Sequence, residues 1–214
     1  MALLVPAGLV PGGTWYWPRG LIFLGLYGVV LEAAVVTLAV AAPASLAARL
    51  TAPASKQQPA ADRLATAFLV LATLGWFVFV PLDVFDLKLL PAPPLAVSLG
   101  GAAVSLAGFA IILAAIYQNS FAIPIVADQS DRSQVLVDTG LYARMRHPMY
   151  LGIFLFHAGL ALWLGSFASL VTLLVILLAL LARIVVEEET LRKTLPDYGA
   201  YAARVPYRLV PLVW

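Results

Sequence analysis

The chain has no cysteine and only two histidines, His147 and His157, in 214 residues. Disulfides are excluded, and so are most protein-borne metal centres, which need clustered thiolate or imidazole ligands. Charge is scarce too. Only 11% of residues are charged, against about 25% in soluble domains, and the mean hydropathy is +0.97. Such a chain cannot cover a folded surface with polar groups, so an integral membrane protein is expected. The net charge of +2 is too small to argue for a nucleic-acid partner. MALLVPAGLVPGG lacks a basic region before its apolar run, so no cleaved leader is expected. VPLVW carries no prenylation box, so anchoring is expected from spanning segments. Gly8, Gly12 and Gly13 make no phosphate loop, and no G-x-G-x-x-G follows a strand. There is no internal repeat and no domain boundary, so residues 1–214 read as a single integral membrane domain.

Long apolar runs are what the chain does have. A bilayer core takes about 20 apolar residues as a helix. Candidates are Leu21 to Ala42, Leu64 to about Leu82, Leu95 to Tyr117, Met149 to Leu164 and Phe167 to Val186. Gly165-Ser166 alone separates the last two, which predicts a helical hairpin with a short first arm. The expected fold class is therefore all-α, with about five transmembrane helices and a cytosolic C-terminal helical segment. Placing the N-terminus outside puts eleven of the thirteen Lys and Arg on the inner segments 42–63, 118–148 and 187–214 and the inner end of the last helix, leaving Arg19 and Lys88 outside. Cationic loops stay cytoplasmic, so the C-terminus should face the cytoplasm and Trp15, Tyr16 and Trp17 should form an outer aromatic belt.

Polar residues concentrate at 118–148 and from Arg183 onward, on the same expected side. Within the first lies RMRHPMYLG, residues 144–152. His147 precedes Pro148, which suits a helix first turn; free N–H groups at such a start favour anions. This reads as an interfacial cap or as one wall of an anion pocket, with Tyr150 on the same side. Arg183 and Glu187 are four apart and share a helix face. They read as an interfacial ion pair or as the lining of a cavity, since ionisable groups within spanning helices mark sites. Glu32 lies mid-span, where a lone carboxyl either faces the bundle interior or is protonated, and a structural role is expected of it ahead of contact with a substrate. His157 is expected to be a packed interior residue, and Gly100, Gly101 and Gly108 to be helix-packing positions.

Segments DTGLYARMRHPMYLG (138–152) and RIVVEEETLRKTLPDYGAYAARVPYRLVP (183–211) resemble the isoprenylcysteine carboxyl methyltransferase family and its phospholipid-methyltransferase relatives. The likeness runs from about residue 117 to 211. It rests on Gly140, Tyr142, Arg146, His147, Pro148, Tyr150 and Gly152, then on Arg183, Glu187, Glu188, Leu191, Tyr198, Tyr201, Val205 and Pro206. The resemblance implies S-adenosylmethionine as methyl donor, in a cytosol-facing pocket built by 118–148 and 183–214. The donor would be held by Gln134, Val135, Leu136, Val137 and Tyr142, and by His147, Pro148, Met149, Tyr150 and Glu187. Arg183 would hold the acceptor, making Arg183 and Glu187 the residues carrying the chemistry. The implied partners are membrane lipids and a hydrophobic or lipid-like acceptor from the bilayer, with neither metal nor nucleic acid. Two positions depart from the pattern: Ala127, where the family often has Gln, and Leu195-Pro196, in place of Phe-Gly.

The chemistry fits these residues. Methyl transfer is an in-line displacement, so positioning is the main task. The donor's carboxylate suits His147, Arg146 or the helix start, and its ammonium and ribose hydroxyls suit Glu187. A carboxylate acceptor needs no general base, and no convincing base stands out beyond the Glu187–Glu189 run; this leans toward a carboxylate. Two other readings stay open. Val205-Pro206-Tyr207-Arg208 also resembles NADPH-dependent sterol reductases, which are typically larger. A non-enzymatic membrane carrier would leave the same charges as interfacial anchors.

Overall fold

A computed structural model describes residues 16–51, 58–125, 129 and 133–214. The fold is all-α. In chain order the helices are α1 (Pro18–Ala41), α2 (Pro43–Thr51), α3 (Ala60–Leu82), α4 (Leu95–Gln118), α5 (Pro148–Leu164), α6 (Phe167–Thr194) and α7 (Tyr198–Arg204). A π-helical turn, Asp83–Leu87, extends α3, and a 3-10 turn, Gly140–Ala143, precedes α5. Among the described residues, four helices are long and apolar enough to cross a membrane: α1, α3 with its extension, α4 and α6. α5 is apolar but has only 17 residues, about 25 Å at the usual rise.

The core lies between α3, α5 and α6, where Val80, Leu160, Leu164, Leu173, Ile176 and Leu180 are essentially sealed. α4 reaches α5 by another route. A Cβ on Gly101 would stand 2.7 Å from the Gly159 carbonyl oxygen, and one on Gly108 2.8 Å from that of Gly152. The antiparallel backbones therefore touch, as small residues allow in spanning helices. Ser105 adds a hydrogen bond to the Phe156 carbonyl at 3.1 Å. A Cβ on Gly100 would meet nothing within 4 Å, so the packing role expected of it belongs to Gly101 and Gly108 alone.

The α5–α6 connection is built by two residues. Gly165, at φ +100°, closes α5 in the left-handed region. Ser166 caps α6 by accepting the Ser169 N–H at 2.8 Å. Its hydroxyl also donates to Asp83 at 2.6 Å, fastening the end of α3 to this turn. Trp76 donates to the Ser169 carbonyl at 2.8 Å beside it. Nearby, Arg19 donates to Ser98 at 3.1 Å, and Trp163 donates to the Arg19 carbonyl at 3.0 Å. These contacts gather one end of the bundle; α2, the described residues of 118–148 and residues 183–214 lie toward the other.

Three expectations change. The apolar run ends at Val186, but α6 continues to Thr194. Glu, Leu, Arg and Lys are good helix formers, and Lys193 pairs with Glu189 four residues back at 2.6 Å, so the charged stretch stays helical until Leu195-Pro196. The loop 42–63 contains α2, whose Arg49 donates to the Ala122 carbonyl and to the Asn119 carbonyl at 3.4 Å, docking it on the end of α4. Glu32 is exposed on α1 rather than turned into the bundle. α1 buries only Gly20 and Phe23, which leaves most of its circumference outside. His157 is interior as expected: it donates from Nδ1 to the Ile153 carbonyl at 2.8 Å and packs edge-on to Trp76. Tyr16 is 78% exposed, and Trp17 sets its ring against Phe85 at 5.4 Å. Trp15, Ala127 and the glycines at 8, 12 and 13 lie outside the described residues.

Candidate active site

A pocket opens where α5 begins and α6 loses its apolar character. Its cavity volume is about 70 Å³. Gln134, Val135, Leu136 and Val137, outside any helix, form one wall. Tyr142, His147, Met149 and Tyr150 form the second, and Glu187 and Leu191 of α6 the third. Leu195, Tyr198 and Tyr201 close the far side. Nine of the ten residues expected to hold the donor therefore meet around one space. The tenth, Pro148, is fully buried at the first position of α5 and is not on the wall.

Consecutive carboxylates on α6 have opposite surroundings. Glu188 is 3% exposed and sits among two arginines and a histidine: Arg146 Nε at 2.7 Å, Arg208 Nε at 3.1 Å and His147 Nε2 at 3.3 Å. Glu187 is turned about 100° away. It lines the pocket and accepts a hydrogen bond from the Tyr150 hydroxyl at 2.6 Å. Its other neighbour is His147, whose Nδ1 is 3.9 Å off and whose ring stacks on Tyr150 at 5.6 Å. His147 thus bridges the two carboxylates and orients the pocket's aromatic wall.

Arg146 borders the pocket, but its Nε and Nη1 are committed to the protein. Besides Glu188, it donates to the carbonyls of Val205 at 2.7 Å and Pro206 at 3.0 Å. Backbone bonds from Arg146 N–H to the Tyr207 carbonyl and from His147 N–H to that of Arg208 complete the clamp. RMRHP is therefore fixed between α6 and the C-terminal tail. The start of α5 is also a weaker anion site than its position promised. Pro148 has no N–H, and the N–H groups of Tyr150 and Leu151 both return to the His147 carbonyl.

Arg183 and Glu187 share a face of α6 but form no direct ion pair. Arg183 is 5% exposed and does not line the pocket. It donates to the Pro124 carbonyl, lies 3.9 Å from Asp62 of α3, and its guanidinium carbon stands 6.0 Å from the Tyr150 ring centre. Asp62 and Glu188 were both missed as site-shaping groups. Glu188 stood in the family pattern without a role, and Asp62 showed only as a carboxylate near a cationic stretch.

The outer wall is tyrosine-rich. Tyr201 donates to the Tyr142 carbonyl at 2.8 Å, and Tyr142 donates to the Ala115 carbonyl at 3.4 Å. Burial raises the Tyr142 and Tyr198 phenols and pushes Tyr201 up to about 12, with Arg146 partly opposing the shift in Tyr201. All three stay neutral donors at physiological pH. Two buried polar atoms here lack a protein partner, Gln134 Oε1 and the Tyr198 hydroxyl. Leaving such atoms unpaired is costly, so both can still take a polar partner.

Part of the chain is similar to known proteins. The phospholipid methyltransferase family matches residues 96–198, which contain α4 to α6 and most of the pocket. Protein-S-isoprenylcysteine O-methyltransferase of Schizosaccharomyces pombe is 35% identical over 91 residues, covering 42% of this chain and 38% of that protein. This segment thus resembles the phospholipid and isoprenylcysteine methyltransferases, while the aligned stretch spans well under half the length of the curated relative.

Proposed function

We infer that the protein is an S-adenosylmethionine-dependent methyltransferase whose acceptor is a lipophilic molecule drawn from the bilayer. The observation that carries this reading is the pocket at one end of an apolar helical body, lined by Glu187 and two unpartnered acceptor-capable oxygens, Gln134 Oε1 and the Tyr198 hydroxyl. These suit an ammonium group and ribose hydroxyls. When bound, the donor supplies a methyl group on a positively charged sulfur. Glu187 sets a negative charge beside that space. Val135, Leu136, Val137 and Met149 line it with apolar surface and keep the reacting centre dry. Tyr150 and His147 are held in place by Glu187 and Glu188, so the wall is preorganised and little ordering remains for the displacement itself. Arg183, beneath Tyr150, is read as the residue that meets the acceptor's head.

In the bilayer we read five spans, with α5 and α6 as a hairpin across Gly165-Ser166 in a single domain. The distribution of Lys and Arg supports a cytoplasmic C-terminus and pocket with the N-terminus outside. The reductase reading gains nothing from the geometry. Val205 and Pro206 use their carbonyls on Arg146, and Arg208 is drawn to Glu188, so that motif has a structural task whatever the cofactor.

Calorimetry on detergent-purified protein tests the reading. S-adenosylmethionine should bind the wild type, and Glu187→Gln should weaken it roughly tenfold or more through loss of a charge-assisted hydrogen bond. NADPH should not bind. A folded sample that binds NADPH and ignores S-adenosylmethionine would put the reductase in its place.

A further inference from the structure

We propose that the trough between α1, α4 and α5 is a phospholipid site, distinct from the donor pocket, with an acyl chain between the helices and the phosphate at Arg19. The trough lies toward the end of the bundle away from that pocket and measures about 170 Å³. Phe23 and Phe156 of its lining are buried, while Leu26 and Leu106 are more than half exposed. It is therefore open sideways, and in the five-span reading above that side faces lipid. On α1 its lining runs from Ile22 to Val30, a rise of about 12 Å. That shape suits a chain lying along the helices better than a compact guest. Ser105 and Trp163 spend their donors on the carbonyls of Phe156 and Arg19. The Tyr27 phenol is then the one remaining polar side chain of the lining. An apolar cavity of this kind stays dry and takes an apolar guest, so the trough selects hydrocarbon.

Arg19 is what fixes the head group. Trp163 is both the last lining residue on α5 and the ring beside Arg19, whose guanidinium carbon stands 5.9 Å from its centre. Arg19 Nη1 donates to the Ser98 hydroxyl at 3.1 Å and to the Trp163 carbonyl at 3.4 Å. These two bonds aim the guanidinium but bring no negative charge. No carboxylate among the described residues forms an ion pair with it. Its Nε and Nη2 donate to none of the described residues. A phosphate diester supplies the missing charge and accepts from both nitrogens, the forked arrangement a guanidinium favours. Basic sites between spanning helices hold lipid head groups in this way. A free phosphate would leave the trough empty, and a neutral lipid would leave Arg19 unmatched. One phospholipid satisfies both, and it fills in beside α1, which itself buries only Gly20 and Phe23.

Native mass spectrometry of the full chain, delipidated in detergent, tests this with two probes of matched chains, dioleoylphosphatidylglycerol and dioleoylglycerol. Wild type should retain a single phosphatidylglycerol roughly tenfold more tightly than the diacylglycerol, and Arg19→Gln should erase that difference. Leu106→Trp, which fills the trough from its exposed side, should weaken both lipids. Leu178→Trp, also exposed but on α6 and outside the trough, should weaken neither. Excess inorganic phosphate should not displace the lipid. Equal retention of the two lipids by wild type overturns the proposal even if Arg19→Gln does not fold. A loss in Leu178→Trp as large as in Leu106→Trp does so too, because the lipid is then only a coat. Displacement by phosphate alone overturns it in favour of an ion site. Wild type that retains neither lipid also overturns it, and a dimer mass in that spectrum would give the face to a second copy. None of these readouts depends on S-adenosylmethionine, so the methyltransferase reading stands or falls separately.

Discussion

Along the shaft of the bundle, α4 and α5 meet backbone to backbone through Gly101, Gly108, Gly152 and Gly159. At the charged end, α5 and α6 meet through Tyr150, His147 and the paired carboxylates. The same α5 takes part in both. In lipid, burying an apolar side chain against another helix gains little over leaving it in hydrocarbon, so close packing of small residues holds the shaft. At the end, buried charges must be matched one by one. The shaft is therefore sensitive to volume and the end to charge.

Glu188→Gln should break the charged end with the largest effect. It strands Arg146, which is 7% exposed, and removes the anchor of His147 and Arg208. A loss of about 3–5 kcal/mol is expected from breaking one partner of a buried pair, read as reduced thermal stability in detergent. Glu187→Gln, next to it, should leave stability nearly unchanged while losing donor affinity. Equal destabilisation by the two would abolish the distinction between a structural and a pocket carboxylate. On the shaft, Gly159→Leu should cost about 1–3 kcal/mol or more by overpacking. Gly100→Leu should cost almost nothing, because nothing lies within 4 Å of its Cβ position. Equal melting temperatures for this pair would show that α4 and α5 do not make the close approach.

The apolar cores of the long helices were legible because a run of hydrophobic residues has one reading at bilayer length. The polar end was legible only as a cluster. Three consecutive glutamates on a helix point about 100° apart, and which one turns to cations depends on where Arg146 and Arg208 arrive from other segments. Family likeness singled out Glu187 for the donor, but nothing in the run itself assigns Glu188 its clamp. Asp62 was hidden differently. An acid in a first turn is ordinary compensation of the helix dipole, and its meeting with Arg183 spans 121 residues of sequence. Of the readings open for a mid-span carboxyl, the inward one fails for Glu32, because α1 is too thinly packed to have much of an inside.

A smaller loss than that expected of Glu188→Gln or Gly159→Leu belongs to the tyrosine wall, which borders both regimes: Tyr142 reaches the end of α4 and Tyr201 reaches Tyr142. Tyr201→Phe removes one buried hydrogen bond, so about 0.5–1.5 kcal/mol should be lost near neutral pH. Its pH dependence carries more information than its size. The folded phenol is raised to about 12 from an unfolded value near 10. The stability it contributes is therefore fully present below about pH 10 and is lost as pH rises through the folded value. Wild type and Tyr201→Phe should run parallel from about pH 6 to 9 and converge above about pH 10, because the variant has one fewer buried phenol to ionise. Curves that stay parallel to about pH 12 would mean that Tyr201 titrates as freely folded as unfolded, and that the wall is open to water rather than sealed against the pocket.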